Sequence, residues 1–453
     1  MIDRLRWGVL PFYLLLCVVF GGSTQGIYSL LALQLTGIAL IVWAVARRGA
    51  VALPRDARTL VWIGAGVALL FLFQLIPLPP GIWAALPGQG QVAEGYRLLG
   101  QAAPWRPLSL VPDETIATAV TLIPPLAVLC FCLLTDDVRP SWIAATVLAA
   151  TVASVVLGAL QVGSSSGGAP SPWYFYRQSN FGQATGFFAN SNHMGSLLMI
   201  SIPFLAAMVR RLRVRRSAKV RAGALLLAAA GLVVIAVGIA LNRSLAVLLL
   251  VAPVSLLSAI IVAGEERRRL RKPLMLGAMA AAVLAFLASL TSLPSRIFTA
   301  NAVSFESRRE MWATSLKAIG DYFPFGSGIG SFTRVYDTYE DPAEVGRTIV
   351  NHAHNDYLEI ALEAGLPGIV LTLVLVLWWL RRASAVWRPD GRSDMAMAAA
   401  IASGALLLHS IVDFPLRMPA LSAIMAACLA LLTISFRDHA KKQDIWSTRH
   451  VSV

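Results

Sequence analysis

The sequence predicts an all-α membrane protein with about twelve transmembrane helices, on three observations: its composition, the length of its apolar runs and the placement of its basic residues. Of 453 residues, 57% are hydrophobic and 14% charged. Mean hydropathy is +0.69, outside the range of an ordinary soluble domain. The charges are bunched between apolar runs, each long enough to cross a hydrocarbon core of about 30 Å as a helix of roughly 20 residues. Only helices or a closed barrel satisfy their own backbone in lipid. The runs lack the alternation of barrel strands, which leaves helices.

The expected spans are 8–24, 27–46, 59–78, 115–135, 141–162, 187–209, 222–241, 245–263, 274–293, 358–380, 395–412 and 420–436. With a cytoplasmic N-terminus, 27 of the 38 Lys and Arg residues fall in cytoplasmic segments. The densest are Arg210 to Arg221, Arg267 to Lys272 and Arg381 to Arg392. The other 11 basic residues lie outside, among 14 of the 24 acidic ones. This is the positive-inside distribution, and it holds through all twelve spans with both termini cytoplasmic. It also explains a net charge of +14 that would otherwise suggest nucleic acid. No nucleic-acid partner is expected; membrane lipids are.

The chain reads as one polytopic domain, 1–453, with a basic cytoplasmic tail at 437–453. The first span follows Arg4 and Arg6 without a clear A-x-A cleavage site, so it is expected to be retained. Cys17, Cys130, Cys132 and Cys428 all sit in apolar runs without metal-ligand spacing and read as small core residues. No internal repeat is visible. Three outer segments are long enough to carry structure: 79–114, rich in Pro and Gly; 163–186, a Ser/Gly run leading through aromatics to Arg177; and 294–357, the largest. Within 294–357, Met311, Trp312, Leu316 and Ile319 have helical spacing over Glu306 to Ile319. Pro324, Gly326, Gly328 and Gly330 then mark a turn. A loop of this size is where chemistry is expected.

The strongest local signal is His352-Ala353-His354-Asn355-Asp356-Tyr357-Leu358-Glu359, continuing to Glu363, Gly365 and Gly368, where this loop enters the tenth span. Asn355 or Asp356 can cap the helix, leaving His354 at its N-terminal edge. The positive helix end disfavours a protonated imidazole there, and a neutral histidine is what a general base requires. Glu359 and Glu363 share one helical face at a depth where ionisable groups are functional or paired. Set against this is an interfacial loop whose histidines merely hydrogen-bond water.

Arginines are the second signal. Arg243, in Asn242-Arg243-Ser244, is confined to a three-residue connection between spans, while Arg308 and Arg309 open the loop helix; Arg177 and Arg296 also lie outside. A guanidinium fork suits the oxygens of a lipid diphosphate, although each arginine alone could simply snorkel to headgroups. Gly326-Ser327-Gly328-Ile329-Gly330 follows no buried strand and reads as a tight turn rather than a nucleotide loop. Asp321, Asp337, Glu340, Asp341 and Glu344 fit no metal loop and read as solvated charge. No metal or cofactor is expected.

These motifs resemble the O-antigen ligase and polysaccharide polymerase superfamily. The ligase signature is His, then Asn, Ser or Gln, nine residues, Gly, two residues, and Gly, Thr or Tyr. It is matched by His354-Asn355, the nine residues to Ala364, then Gly365 and Gly368. Ser307 to Trp312, Phe323 to Phe332, Asn242-Arg243-Ser244 and Gly186 to Asn192 resemble further family patterns. The resemblance extends over about 105–436. Two positions depart from it: Gln183 stands where the family often has arginine, and Ser191 replaces a proline. Any phosphate-binding role of that region then falls to Arg177.

The resemblance implies a GT-C-type architecture with the 294–357 loop periplasmic between spans 9 and 10, in a bacterial inner membrane. It implies a metal-independent inverting transfer from a glycan on undecaprenyl diphosphate to a sugar hydroxyl. His354 would deprotonate or orient that hydroxyl, and Arg243 and Arg308 would hold the diphosphate. Asn355, Glu359, Glu363, Arg309 and Arg177 would support them. The acceptor is open: lipid A core, a growing glycan or a protein hydroxyl. A transporter or lipid flippase would also account for twelve spans but should concentrate ionisable groups at the midplane. Here Glu363 and His409 are the chief candidates for that position. A non-catalytic scaffold is the remaining class.

Overall fold

The computed structural model describes residues 2–25, 27–48, 53–164, 171–214, 218–264, 267–289, 302–342, 349–388 and 393–434. Arg296, the end of the ninth expected span and the tail at 437–453 lie outside the described residues. The helices are α1 (Ile2–Phe20), α2 (Ile27–Ala46), α3 (Arg55–Leu75), α4 (Pro80–Trp83), α5 (Gly90–Leu98), α6 (Pro112–Thr121), α7 (Ile123–Leu134) and α8 (Pro140–Gly163). They continue with α9 (Ser191–Val214), α10 (Ala218–Asn242), α11 (Leu245–Ala263), α12 (Arg267–Ser289), α13 (Ala302–Tyr322), α14 (Phe332–Tyr339), α15 (Asp356–Val386), α16 (Asp394–His409) and α17 (Pro419–Ile434). A two-residue antiparallel ladder pairs β1 (Pro77–Leu78) with β2 (Arg106–Pro107).

Each expected span overlaps a helix, or two consecutive ones where α6 and α7 share 112–134, the ninth as far as Ser289. Eight are long and apolar enough to cross a membrane, and the protein is a multi-pass helical membrane protein. Arg6–Phe20, α16 and Pro419–Thr433 are apolar but shorter. The 16 residues of α16 rise about 24 Å, short of a hydrocarbon core of about 30 Å.

The bundle centres on α9, which packs against α8, α10, α11 and α16 and has 83% of its apolar window buried. Small residues let these helices approach closely. A Cβ at Gly195 would lie 2.9 Å from Asn242 Oδ1 and collide with Val247. The alanine-rich helices α16 and α17 pack on each other, and both are buried along most of their length. Cys17, Cys132 and Cys428 lie in this core and Cys130 is half-buried; all four are free thiols.

A second, smaller core gathers Met311, Ala318, Tyr322, Phe332, Val335, Tyr336, Ala353 and Leu362. On α13 the buried stripe is Met311, Ser315, Ala318 and Tyr322. Leu316, expected on the same face, is 57% exposed, because it lies about 100° from Ser315 around the helix. The following turn has left-handed glycines at 326, 328 and 330, as its composition predicts. It is tied to α15 where Ser327 N donates to Leu362 O and Gly328 N to Glu363 O, both at 2.9 Å. Gly365, with φ of 57°, breaks the helical path of α15 at this contact. A Cβ there would collide with Pro324 O and lie 2.7 Å from Gly326 N. The glycine of the signature therefore seats the loop against the helix that follows His354.

Candidate functional site

Asn355 caps α15: its Oδ1 accepts from Tyr357 N at 3.0 Å and Leu358 N at 3.1 Å, which satisfies two of the donors a helix start leaves free. His354 precedes the cap in a left-handed conformation, φ 49°, which costs a non-glycine residue about 1 kcal/mol or more. The segment is held from three sides. Trp312 Nε1 donates to Ala353 O at 2.9 Å. Asp356 N donates to Ser410 O at 2.9 Å, and Tyr357 Oη to Leu407 O at 2.8 Å.

His354 is partly exposed, and its Nδ1 lies 3.1 Å from Oδ1 of fully buried Asp413, in the connection between α16 and α17. Burial pushes the Asp413 carboxyl up. The hydrogen bond and charge of His354, with the charges of His193 and Arg308, outweigh this and hold it well below the ordinary carboxylate range. An ionised carboxylate can only accept, so Nδ1 carries a hydrogen, and whenever the ring is neutral the lone pair is on Nε2. This orients a histidine for proton abstraction. Buried His193 Nε2 is 3.9 Å from the same Oδ1.

Beside this pair, Arg417 gathers three carboxylates of α15. Its Nη1 is 3.1 Å from Glu359 Oε1, its Nη2 3.1 Å from Glu363 Oε2, and its Nε 3.5 Å from Asp356 Oδ1. These carboxylates raise the Arg417 pKa against the burial that would lower it. The acids also bind backbone. Glu363 Oε1 accepts from Gly330 N at 3.0 Å and Phe332 N at 3.2 Å. Glu359 Oε2 accepts from Ala353 N at 3.0 Å, and its Oε1 from His352 Nδ1 at 2.8 Å. Glu359 and Glu363 are thus paired structural acids that lock the loop to the start of α15. His352 lies outside the ligase signature. Its bond to Glu359 places it inside the cluster.

Of the expected residues, His354, Asn355, Glu359 and Glu363 come together, and Arg308 stands close enough for its charge to act on Asp413. Arg243 is exposed at a left-handed φ of 56°, between neighbours tied to the 184–192 segment. Asn242 Nδ2 donates to Ala184 O at 3.0 Å and Ser191 O at 2.6 Å. Ser244 Oγ donates to Asn192 Oδ1 at 2.7 Å. Two motifs remote in sequence, 242–244 and 186–192, are therefore one structural unit. Gln183, where the family often has arginine, accepts from Ser191 Oγ at 2.6 Å. Arg177 and Arg309 are exposed, and neither forms an ion pair or hydrogen bond with the His354 cluster among the described residues. Among those residues, no three His, Cys, Asp or Glu side chains are grouped to hold a metal ion.

Sequence reasoning missed Asp413 and Arg417. Their signal was an acid and a base within Asp413-Phe414-Pro415-Leu416-Arg417, a short connection between two apolar runs.

The fold and this cluster define a polytopic helical membrane protein with a carboxylate-oriented histidine at the start of one helix. Residues 230–373 match the O-antigen ligase family. Over this segment, which spans Arg243, Arg308 and the whole His354 signature, the chain is O-antigen ligase-like, as the motifs predict. No curated protein matches the sequence. The family implies a membrane glycan transferase of the ligase or polymerase type.

Proposed function

We propose that the protein transfers a glycan from undecaprenyl diphosphate to a sugar hydroxyl at the periplasmic face of the bacterial inner membrane. The observation that carries this reading is the Asp413–His354 pair, 3.1 Å apart, within a segment that matches the O-antigen ligases. His354 Nε2 takes the proton of the acceptor hydroxyl. The acceptor oxygen attacks the anomeric carbon, and the bond from that carbon to the diphosphate oxygen breaks. The electron pair leaves with the lipid diphosphate, and the anomeric configuration inverts. Asp413 stabilises the imidazolium that forms.

Arg243 and Arg308 bind the diphosphate and offset its charge as it departs. In this reading fixed guanidinium charges and the N-terminus of α15 do the electrostatic work, without a bound divalent cation. The 294–357 loop is periplasmic and presents the reacting groups. The acceptor is a sugar hydroxyl, on lipid A core in a ligase or on the growing glycan in a polymerase.

Deleting the gene and characterising the lipid-linked glycan tests this. A ligase leaves long glycan on undecaprenyl diphosphate and bare lipid A core. Accumulation of single repeats on the lipid would instead assign a polymerase whose acceptor is the growing glycan. Unchanged lipid-linked glycan, with both products made normally, would overturn the reading.

A further inference from the structure

Phe414 touches three of the protein's six histidines. Its ring is buried. His352 lies tilted against its face, with centroids 4.1 Å and planes 35° apart. His354 meets it at 4.9 Å and 69°, and His193 at 4.8 Å and 84°, both edge-on. Edge-on contacts, which His354 and His193 make, are among the favoured geometries of aromatic rings.

The imidazoles have few other restraints. Among the described residues, neither ring nitrogen of His193 has a hydrogen-bond partner, and the His354 ring has one hydrogen bond, to Asp413. One hydrogen bond fixes a nitrogen but leaves the ring free to turn about it, so a second contact is needed to set the plane. Phe414 supplies that contact from the adjoining residue, and its own N–H donates to the same Asp413 Oδ1 at 2.9 Å. Asp413 and Phe414 therefore act as one grip: the carboxylate holds Nδ1, and the phenyl ring bears on the imidazole.

We propose that Phe414 is a positioning residue for the transfer, its ring setting the planes of His354 and His352 and holding His193 beside Asp413, so that His354 Nε2 is aimed at the acceptor hydroxyl. The inference rests on the function proposed above and adds to it a residue that touches no substrate. Misplacing a catalytic group by about 1 Å can cost on the order of a hundredfold in rate. Losing the ring should thus act on turnover rather than on donor binding.

The test uses the full-length protein, purified in detergent and labelled with nitrogen-15 in histidine. The donor is lipid-linked glycan extracted from cells lacking the gene, and the acceptor is the membrane fraction of the same cells. Phe414→Leu and Phe414→Met remove the ring while keeping an apolar side chain; Phe414→Tyr keeps the ring. In both ringless variants the imidazole signals of His193, His352 and His354 should move, assigned through single His→Gln substitutions. The rate at saturating donor should fall roughly 10- to 100-fold, with the half-saturating donor concentration unchanged. Phe414→Tyr should keep both signals and rate close to wild type.

Unmoved signals in the ringless variants overturn the inference, and so does wild-type turnover in a variant whose signals have moved. A fall in donor affinity at unchanged saturated rate also overturns it. If wild-type protein itself transfers nothing, the underlying function fails and the inference falls with it, an outcome distinguished by the wild-type control alone.

Discussion

Asp413 and His354 lie 59 residues apart in the chain, yet Asp413 Oδ1 stands 3.1 Å from His354 Nδ1. The histidine sits before α15 and the aspartate between α16 and α17, so the pair exists only once these helices have packed. Asp413→Asn preserves shape but removes the charge that fixes the tautomer. Transfer should fall about 100-fold or more, the scale of a misdirected general base, with protein abundance unchanged. Wild-type transfer by the variant would show that the carboxylate does not orient the base.

The same carboxylate gives a pH signature. Its folded value is depressed below the unfolded reference of about 3.9. A depressed carboxyl contributes stability that is complete above the unfolded value and is lost as pH falls through the folded one. Thermal unfolding of wild type and Asp413→Asn in detergent should therefore differ by a constant gap near neutrality that narrows on acidification below about pH 3.9. A gap that stays constant below that pH as well would contradict the pairing.

How much of this was legible in the sequence depends on the range of the signal. Helices α2, α8 and α11 begin and end within a residue of their apolar runs, because length and hydropathy are local properties. The Asn355 cap was legible for the same reason, and Gly365 through its place in the signature. Asp413 and Arg417 were not. Nothing near them in sequence shows that their partners lie just before and within the start of α15. The role of His352 was hidden likewise, since its bond to Glu359 depends on how the turn before α15 folds back.

Arg417 balances Asp356, Glu359 and Glu363. Arg417→Met leaves three buried carboxylates without a counter-charge, and stability should drop by about 3–5 kcal/mol, the usual cost of breaking a buried ion pair from one side. Adding Glu359→Gln and Glu363→Gln should recover part of the loss. Denaturation in detergent checks both statements, and equal stability of Arg417→Met and wild type would contradict them.

The proposed donor clamp is tested by Arg243→Ala and Arg308→Ala. Losing a charge-assisted hydrogen bond to phosphate should weaken donor engagement about tenfold or more. Lysine should restore only part, because it keeps the charge and loses the fork. The measurement is transfer against donor concentration, repeated in excess chelator, which transfer should survive. Full affinity in both alanine variants would move the clamp elsewhere, with Arg177 next. Complete, cation-reversible loss in chelator would overturn a clamp made of arginines alone.

Orientation follows from the charge distribution. Reporters fused after Ala218 and Gly264 should read as cytoplasmic, and one near Glu340 as periplasmic. A cytoplasmic reading at Glu340 would place the His354 cluster on the wrong face for a periplasmic transfer.

The most direct measurement of the central claim is the lipid-linked glycan retained by cells that lack the gene and carry His354→Ala in its place. Nε2 of His354 is the group proposed to take the acceptor's proton, and Asp413 and Phe414 only hold it there. The variant should insert at wild-type abundance and still leave the glycan on its lipid, as the empty deletion does. Clearance of the lipid-linked glycan at the wild-type rate by His354→Ala would contradict the account.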